Sequence, residues 1–118
     1  MQIYNWATLP EERLGPLLTR RFASGERSTI GRFALAKGCT VPVHCHDNEQ
    51  LIMILSGALK LTIDGREVVL KTGDILVIPP NAAHGAEALE DTDEIDFFAP
   101  ARRDWMDGTD AYLRKKKD

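Results

Sequence analysis

The chain has 118 residues, of which 43% are hydrophobic and 28% are charged, as in an ordinary globular protein. Its 15 basic and 18 acidic residues give a net charge of −3, which argues against a general nucleic-acid or anionic-membrane surface. No run approaches the roughly 18 apolar residues of a membrane-spanning helix, and the N-terminus lacks a secretion signal pattern. We therefore expect a cytoplasmic, single-domain protein that binds neither nucleic acid nor membrane.

Short runs of β-type residues follow one another along most of the chain, separated by Gly, Pro, Asp and Asn. The clearest turn is Asp64-Gly65, because Asp-Gly between two alternating runs is a strong hairpin signal. The predicted strands are residues 18–22, 29–36, 41–46, 50–55, 58–63, 66–70, 75–78, 83–89 and 94–99. Strands at this close spacing predict an antiparallel sandwich or barrel.

The two ends of the chain are not predicted to form strands. The only predicted helix is the tail, residues 110–117, whose basic end suits a helix C-terminus, and a short turn is expected near residues 10–14. The predicted boundaries are a single domain over 1–118, with an N-terminal arm at 1–17, a barrel at about 18–100 and a C-terminal tail at 101–118.

All three histidines of the chain lie in two short segments. His44 and His46 are two residues apart, so on a strand both imidazoles project to the same face, and Cys45 points away as a buried thiol rather than a ligand. His84 follows the Pro79-Pro80 loop and arrives from another strand. A lone His-x-His is more often surface or core, but three convergent imidazoles predict a site for one divalent transition metal ion.

The fourth ligand of this site is predicted to be an amide. Gln50 lies four residues past His46, at the start of the next apolar run, and its oxygen suits Ni, Zn, Fe or Mn when mixed with imidazole. Glu49 would face the other side of that strand. The identity of the metal stays open.

The two histidine segments resemble the two cupin motifs. Gly38, His44, His46 and Gly57 fit the first motif, and Gly73, Pro79 and His84 fit the second. The sequence departs from the motifs at Gln50 for the usual glutamate, Asn81 for glycine and Ala88 for a common asparagine. The resemblance implies an all-β, cupin-type double-stranded β-helix, which is a jelly-roll barrel, with a short C-terminal helix.

A further segment, Asp96-x-Phe98-x-Pro100-x-Arg102, is similar to the KdgF-like cupins of pectin degradation. This resemblance implies metal-dependent conversion of 4,5-unsaturated uronate monosaccharides, from pectin or alginate, to linear 4-deoxy-5-keto uronates. Asp96 would move protons, Arg102 would grip the substrate carboxylate bidentately, and Phe98 would form an apolar wall. It also implies a homodimer, with residues 18–22 and 30–35 as the apolar interface.

Several alternatives remain open. Asp96 could be an ordinary edge-strand acid, Phe98 could be plain core, and Arg102 could pair with Asp104 or Glu94 on the surface. A metal-dependent dioxygenase, a polyketide-cyclase-like cupin and a non-catalytic small-molecule-binding cupin are the rival functions. The spacing does not decide the roles of four charged residues, which are Glu49, Glu87, Arg20 and Arg32.

Overall fold

The computed structural model describes residues 1–114 and folds them into two facing antiparallel sheets. The strands are β1 Glu12–Gly15, β2 Leu18–Ser24, β3 Thr29–Leu35, β4 Thr40–His44, β5 Glu49–Ser56, β6 Ala58–Ile63, β7 Arg66–Lys71, β8 Ile75–Ile78, β9 His84–Ala88 and β10 Thr92–Ala99. Sheet A has the order β1-β2-β3-β10-β5-β8, and sheet B has the order β4-β9-β6-β7. This two-sheet architecture confirms the predicted all-β barrel.

The core lies between the sheets and follows the alternation of side chains along each strand. In β3 and β10 every second residue is buried, as expected for strands with one face on a core. Leu18, Phe33 and Leu35 belong to this core. Residues 18–22 and 30–35, the predicted dimer interface, thus contribute Leu18, Phe33 and Leu35 to the core, while Ile30 is only partly buried.

The hairpin between β6 and β7 has the predicted turn. Asp64 and Gly65 both have positive φ, at 47° and 79°, and Ile63 pairs with Arg66 on either side of them. Two central residues with positive φ are the mark of a type I′ turn, whose twist matches that of the flanking strands. Asp-Gly is a favoured pair here because aspartate tolerates the left-handed region and glycine adopts it without strain.

Both predictions for the chain ends need correction. The predicted turn near residues 10–14 is instead the start of strand β1, which pairs with β2 and contains a register shift between Arg13 and Gly15. The tail forms a short helix earlier than predicted, α1 at Arg103–Asp107, and then a 3₁₀ turn at Ala111–Leu113. Gly108 ends α1 in the left-handed conformation. The rest of the predicted helix, residues 115–117, lies outside the described residues.

Within residues 1–114, no helix has the length and apolar character needed to cross a membrane.

Candidate metal and substrate site

The histidines converge because of how sheet B and its loops are arranged. His44 ends β4 and pairs directly with His84, the first residue of β9. His46 lies in the loop beyond β4, so the predicted strand 41–46 is too long at its end. That loop is held by the backbone N–H of Asn81, which donates to the His46 carbonyl at 2.8 Å. Asn81 has φ of 68°, which explains why glycine is usual at this position and why asparagine can replace it.

The three imidazoles form a group that could hold a metal ion. One nitrogen from each ring lies within 4.8 Å of the others. Nδ1 of His44 lies 2.8 Å from the Pro42 carbonyl, and Nδ1 of His84 lies 2.8 Å from the Ala82 carbonyl. A carbonyl only accepts, so each Nδ1 carries the proton and each Nε2 keeps its lone pair. His84 Nε2 is buried and has no hydrogen-bond partner among the described residues, which fits a ligand atom.

Burial keeps these rings in the form that binds a cation. It lowers the pKa of His44 to about 4 and the pKa of His46 to about 4, and it also lowers the pKa of His84. The nearby positive charge of Arg102 lowers all three further. The imidazoles are therefore neutral at pH 7, with lone pairs available to a metal.

Gln50 lies between the histidines and an acid. It is buried while Glu49 is exposed, as the strand alternation predicts. Its Oε1 lies 3.1 Å from His46 Nε2, and its Nε2 donates to Asp96 Oδ2 at 3.0 Å. The contact with the carboxylate fixes the amide so that its oxygen is on the histidine side.

Two carboxyl groups on β10, from Glu94 and Asp96, point into the barrel, and both are about 5% exposed or less. Burial raises the pKa of Asp96 to about 6, and burial together with the Asp96 charge raises the pKa of Glu94 well above its usual value. The alternative that Glu94 pairs with Arg102 on the surface is not found, because Glu94 is buried. Its even spacing from Asp96 and Phe98 could have revealed its inward position.

Arg102 is only 2% exposed and is fixed on several sides. Its Nε and Nη2 donate to Asp104 at 2.9 and 2.7 Å, so of the two alternative partners it pairs with Asp104, which is itself partly exposed. The guanidinium carbon lies 4.6 Å from the Phe98 ring centre and 4.8 Å from that of Trp105. Arg102 thus presents the edge formed by Nε and Nη2 to Asp104, and its Nη2 also donates to the Tyr112 hydroxyl.

An interior cavity of about 50 Å³ joins these groups. Its polar and aromatic lining includes His44, Gln50, His84, Glu94, Asp96, Phe98, Arg102, Trp105 and Tyr112. Tyr112 is not predicted from the sequence as a site residue, because it lies in the 3₁₀ turn after α1, where no alternation of side chains can be detected.

The other charged residues considered from the sequence lie away from this cavity. Arg20 pairs with Glu12 and Asp110, Arg32 pairs with Asp93, and Glu87 pairs with Lys60 on the outer face of sheet B. Cys45 is exposed, which contradicts the predicted buried thiol, whereas Cys39 is buried. Cys45 turns away from the imidazoles because it follows the last residue of β4, where the chain leaves the sheet.

The fold and the histidine cluster together define a class of protein, and comparison with known families agrees. The Cupin domain family matches residues 31–98, so this chain belongs to the cupin family. It is 36% identical over 73 residues to the pectin degradation protein KdgF of Dickeya dadantii (strain 3937), in a match covering 60% of this chain and 66% of that protein. The solved structure of KdgF from Halomonas sp. has a TM-score of 0.83 at 26% identity, covering 89% of this chain and 98% of that one.

A second relative has a different name. The chain is 32% identical to quercetin 2,3-dioxygenase of Bacillus subtilis (strain 168), in a match covering 65% of this chain but 28% of that protein. The chain therefore spans just under two thirds of the Dickeya protein and less than a third of the Bacillus protein. The predicted resemblance to KdgF-like cupins is confirmed.

Proposed function

We propose that this protein converts 4,5-unsaturated uronate monosaccharides to linear 4-deoxy-5-keto uronates during cytoplasmic breakdown of pectin or alginate. The observation that carries the proposal is Asp96, a buried carboxyl group on the cavity that is joined through Gln50 to the histidine cluster. Similarity to two proteins named KdgF supports the substrate class.

The metal site is proposed to consist of His44, His46 and His84, with Gln50 Oε1 as the fourth ligand. A divalent ion such as Ni, Zn, Fe or Mn, when bound there, supplies Lewis acidity that polarises substrate oxygens. Because all four ligands are neutral, the full positive charge of the ion remains to act on an anionic substrate.

The substrate ring is both a hemiacetal and an enol ether, and this decides what the residues need to do. Ring opening removes the proton of the anomeric hydroxyl, forms the C1 carbonyl and breaks the bond between C1 and the ring oxygen. The electron pair of that bond stays on the ring oxygen and leaves an enolate at C5. Delivery of a proton to C4 then gives the 5-keto product. Atoms and electrons balance, so the step needs neither an oxidant nor a reductant.

Asp96 is proposed to carry the proton. Its Oδ2 accepts a hydrogen bond from Gln50, and its buried Oδ1 has no hydrogen-bond partner among the described residues. A carboxylate with a raised pKa can take a proton and return it, which contributes about 10²–10⁴-fold in rate. Arg102 is proposed to hold the substrate carboxylate, and Phe98 to pack against the ring.

The proposal is tested by mixing the purified protein with unsaturated galacturonate and following the loss of double-bond absorbance. The protein is first reconstituted separately with Ni, Zn, Fe and Mn. We expect acceleration over the uncatalysed reaction with at least one metal. Unchanged rates with all four would contradict the function.

Asp96→Asn is the first prediction, because it keeps the shape of the side chain and the contact with Gln50 but removes the base. We expect kcat to fall by about 10²–10⁴-fold while binding of the metal and of saturated galacturonate persists. Asp93→Asn, on the same strand but the opposite face, is the matched control and should keep its turnover. Unaltered kcat in Asp96→Asn rules out the proposed role of Asp96.

A metal-dependent dioxygenase is the second candidate, and the similarity to quercetin 2,3-dioxygenase favours it. Consumption of dioxygen with an aromatic substrate, and none with unsaturated galacturonate, would identify this activity. A binding cupin without catalysis would instead retain ligand binding and turn over neither substrate.

A homodimer is also proposed, through a different surface from the one that the sequence indicates. On the outer side of sheet A, Phe97 pairs with Leu51 and Leu51 pairs with Val77. Met53 and Ile75 pair in the next row. We call these five apolar residues the open face; Ile75, Val77 and Phe97 are 61%, 55% and 46% exposed. A contiguous apolar patch of this kind marks an interaction site, and a second copy of the chain offers an identical patch.

A further inference from the structure

The C-terminal tail closes the mouth of the barrel above the histidines. The 3₁₀ turn Ala111–Leu113 packs against β4. The Tyr112 ring lies over the His44 imidazole, with ring centres 4.3 Å apart and planes inclined by 32°. Leu113 is buried beside it and lines the same cavity. Tyr112 therefore lies between the proposed metal site and the outside.

The hydroxyl of Tyr112 is hydrogen-bonded to the guanidinium group of Arg102. It accepts a hydrogen bond from Nη2, the same nitrogen that also donates to Asp104. Asp104 takes the edge of the guanidinium formed by Nε and Nη2, so a bidentate carboxylate has only the edge formed by Nη1 and Nη2. Tyr112 stands at that second edge. A carboxylate that binds there displaces the hydroxyl.

The size of the cavity leads to the same conclusion. A volume of about 50 Å³ is far below the roughly 300–1,000 Å³ of pockets that hold small organic ligands. A six-carbon sugar acid does not fit beside Tyr112. Entry of such a ligand requires the aromatic side chain to leave the mouth.

A buried ion pair fixes the base of the tail. Asp110 Oδ2 accepts from Arg20 Nη1 at 2.7 Å, and both side chains are fully buried. Asp110 Oδ1 also accepts from Arg114, and Arg20 also binds Glu12 on β1. These anchors hold the tail against the barrel on both sides of Tyr112. Movement of Tyr112 is thus confined to its own turn and does not require the tail to detach.

We propose that Tyr112 is a gate that the substrate displaces. Without substrate, its hydroxyl occupies the carboxylate position on Arg102 and its ring covers the histidines. A uronate that binds Arg102 at this position moves Tyr112 away. This inference rests on the proposed function for the class of ligand. It adds a residue that selects for a carboxylate, because a neutral sugar cannot compete for the guanidinium edge.

The first test observes Tyr112 directly. The chain has two tyrosines, and Tyr4 is exposed near the N-terminus, so labelling with 3-fluorotyrosine gives two ¹⁹F resonances that Tyr4→Phe assigns. Spectra of the zinc-loaded and the metal-free protein are recorded with saturated galacturonate and with galactose. We expect galacturonate, and not galactose, to shift the Tyr112 resonance and leave Tyr4 unchanged. An unmoved Tyr112 resonance at saturating galacturonate overturns the gate.

The second test removes only the competing hydroxyl. Tyr112→Phe keeps the ring over His44, so the fold is retained. We expect the Kd for galacturonate to fall by about 3- to 10-fold, because no hydroxyl then competes with the carboxylate for Arg102. Tyr4→Phe is the control and should leave the Kd unchanged. An equal or weaker affinity in Tyr112→Phe overturns the gate, and so does an absence of galacturonate binding to both proteins.

The two proposals fail in different ways. If the wild-type protein opens unsaturated galacturonate but Tyr112 neither moves nor competes, the function stands and the gate is wrong. If galacturonate moves Tyr112 and binds more tightly to Tyr112→Phe but no ring opening occurs, the gate stands and the proposed reaction is wrong.

Discussion

Two acids that face the same cavity, Glu94 and Asp96, give this site its chemical character. Burial removes both carboxylates from water, and this is the main cause that raises the pKa of each group. The charge of Asp96 is the second cause that raises the pKa of Glu94 well above its usual value. Asp96, with a pKa of about 6, is left mainly ionised.

The activity should therefore depend on pH through Asp96. A pKa raised to about 6 means that the base is protonated below that pH and ionised above it. We expect kcat/KM for unsaturated galacturonate to rise about tenfold per pH unit below pH 6 and to level off above it. The pKa values of His44 and His46 are about 4, so those rings do not produce this inflection. A profile that is flat from pH 5 to 8 would argue against Asp96 as the base.

Sequence spacing predicts part of this site well, for a simple geometric reason. The period of two in a strand placed Gln50 inward and Glu49 outward, and it placed Asp96 and Phe98 on one face. Tyr112 escaped prediction because its position depends on the contact between Arg20 and Asp110, which are 90 residues apart. No local pattern encodes such a contact.

Gly57 allows the chain to cross from sheet A to sheet B between β5 and β6. Gly57 separates β5 in sheet A from β6 in sheet B, with φ of 103°, a conformation that side chains rarely adopt. A Cβ atom there would lie 2.4 Å from the Asp91 carbonyl oxygen and 2.8 Å from the Thr92 Cα. Both neighbours are at the start of β10, so the strand that carries Asp96 packs directly against this crossing.

Replacing Gly57 should destabilise the protein more than replacing other glycines. Gly57→Ala adds both backbone strain and a clash, and we expect a loss of about 2–4 kcal/mol and a fall in Tm of roughly 10–20 °C. Gly73→Ala, at φ of 91° but in open space, should cost about 1 kcal/mol, and Gly25→Ala should be neutral. Thermal melts followed by circular dichroism give the ranking, and equal Tm values for all three variants would contradict it.

Elements with a long alternating pattern were predicted closely, and irregular ones were not. The strands 58–63 and 75–78 match β6 and β8 at both ends. Strand β1 is only four residues long and its register shifts at Gly15, so it shows no alternation to detect. The charges of the tail predict a helix, but Asp110 is buried against Arg20, and residues 110–114, the part of the tail that the structure describes, form one 3₁₀ turn.

At the scale of the whole molecule, sheet A is unequal on its two sides. Its inner side contributes to the core and carries Glu94 and Asp96. Its outer side carries the open face, which is exposed at one end of the sheet. Strand β8 is the edge of this sheet, and its residues Ile75 and Val77 are among the most exposed apolar side chains of the described chain. Exposed apolar edges are a liability for a monomer, so a partner that covers them stabilises the protein.

A charge placed in the open face should separate the proposed dimer. Val77→Lys puts an ammonium group into the most exposed part of the open face, on edge strand β8, and we expect light scattering to report a mass of one chain where the wild type gives two. Val69→Lys, an exposed valine on β7 of the other sheet, is the matched control and should remain dimeric. A wild-type protein that scatters as a monomer would remove the proposed dimer altogether.

The outward turn of Cys45 offers a practical means of following this chemistry. The chain has two cysteines, and only the one that is flanked by His44 and His46 is accessible from solvent. A maleimide dye or nitroxide can thus be attached beside the imidazoles in the unmutated protein, with Cys39 shielded in the interior. Metal loading and ligand entry can then be followed through quenching of the dye fluorescence or broadening of the nitroxide spectrum.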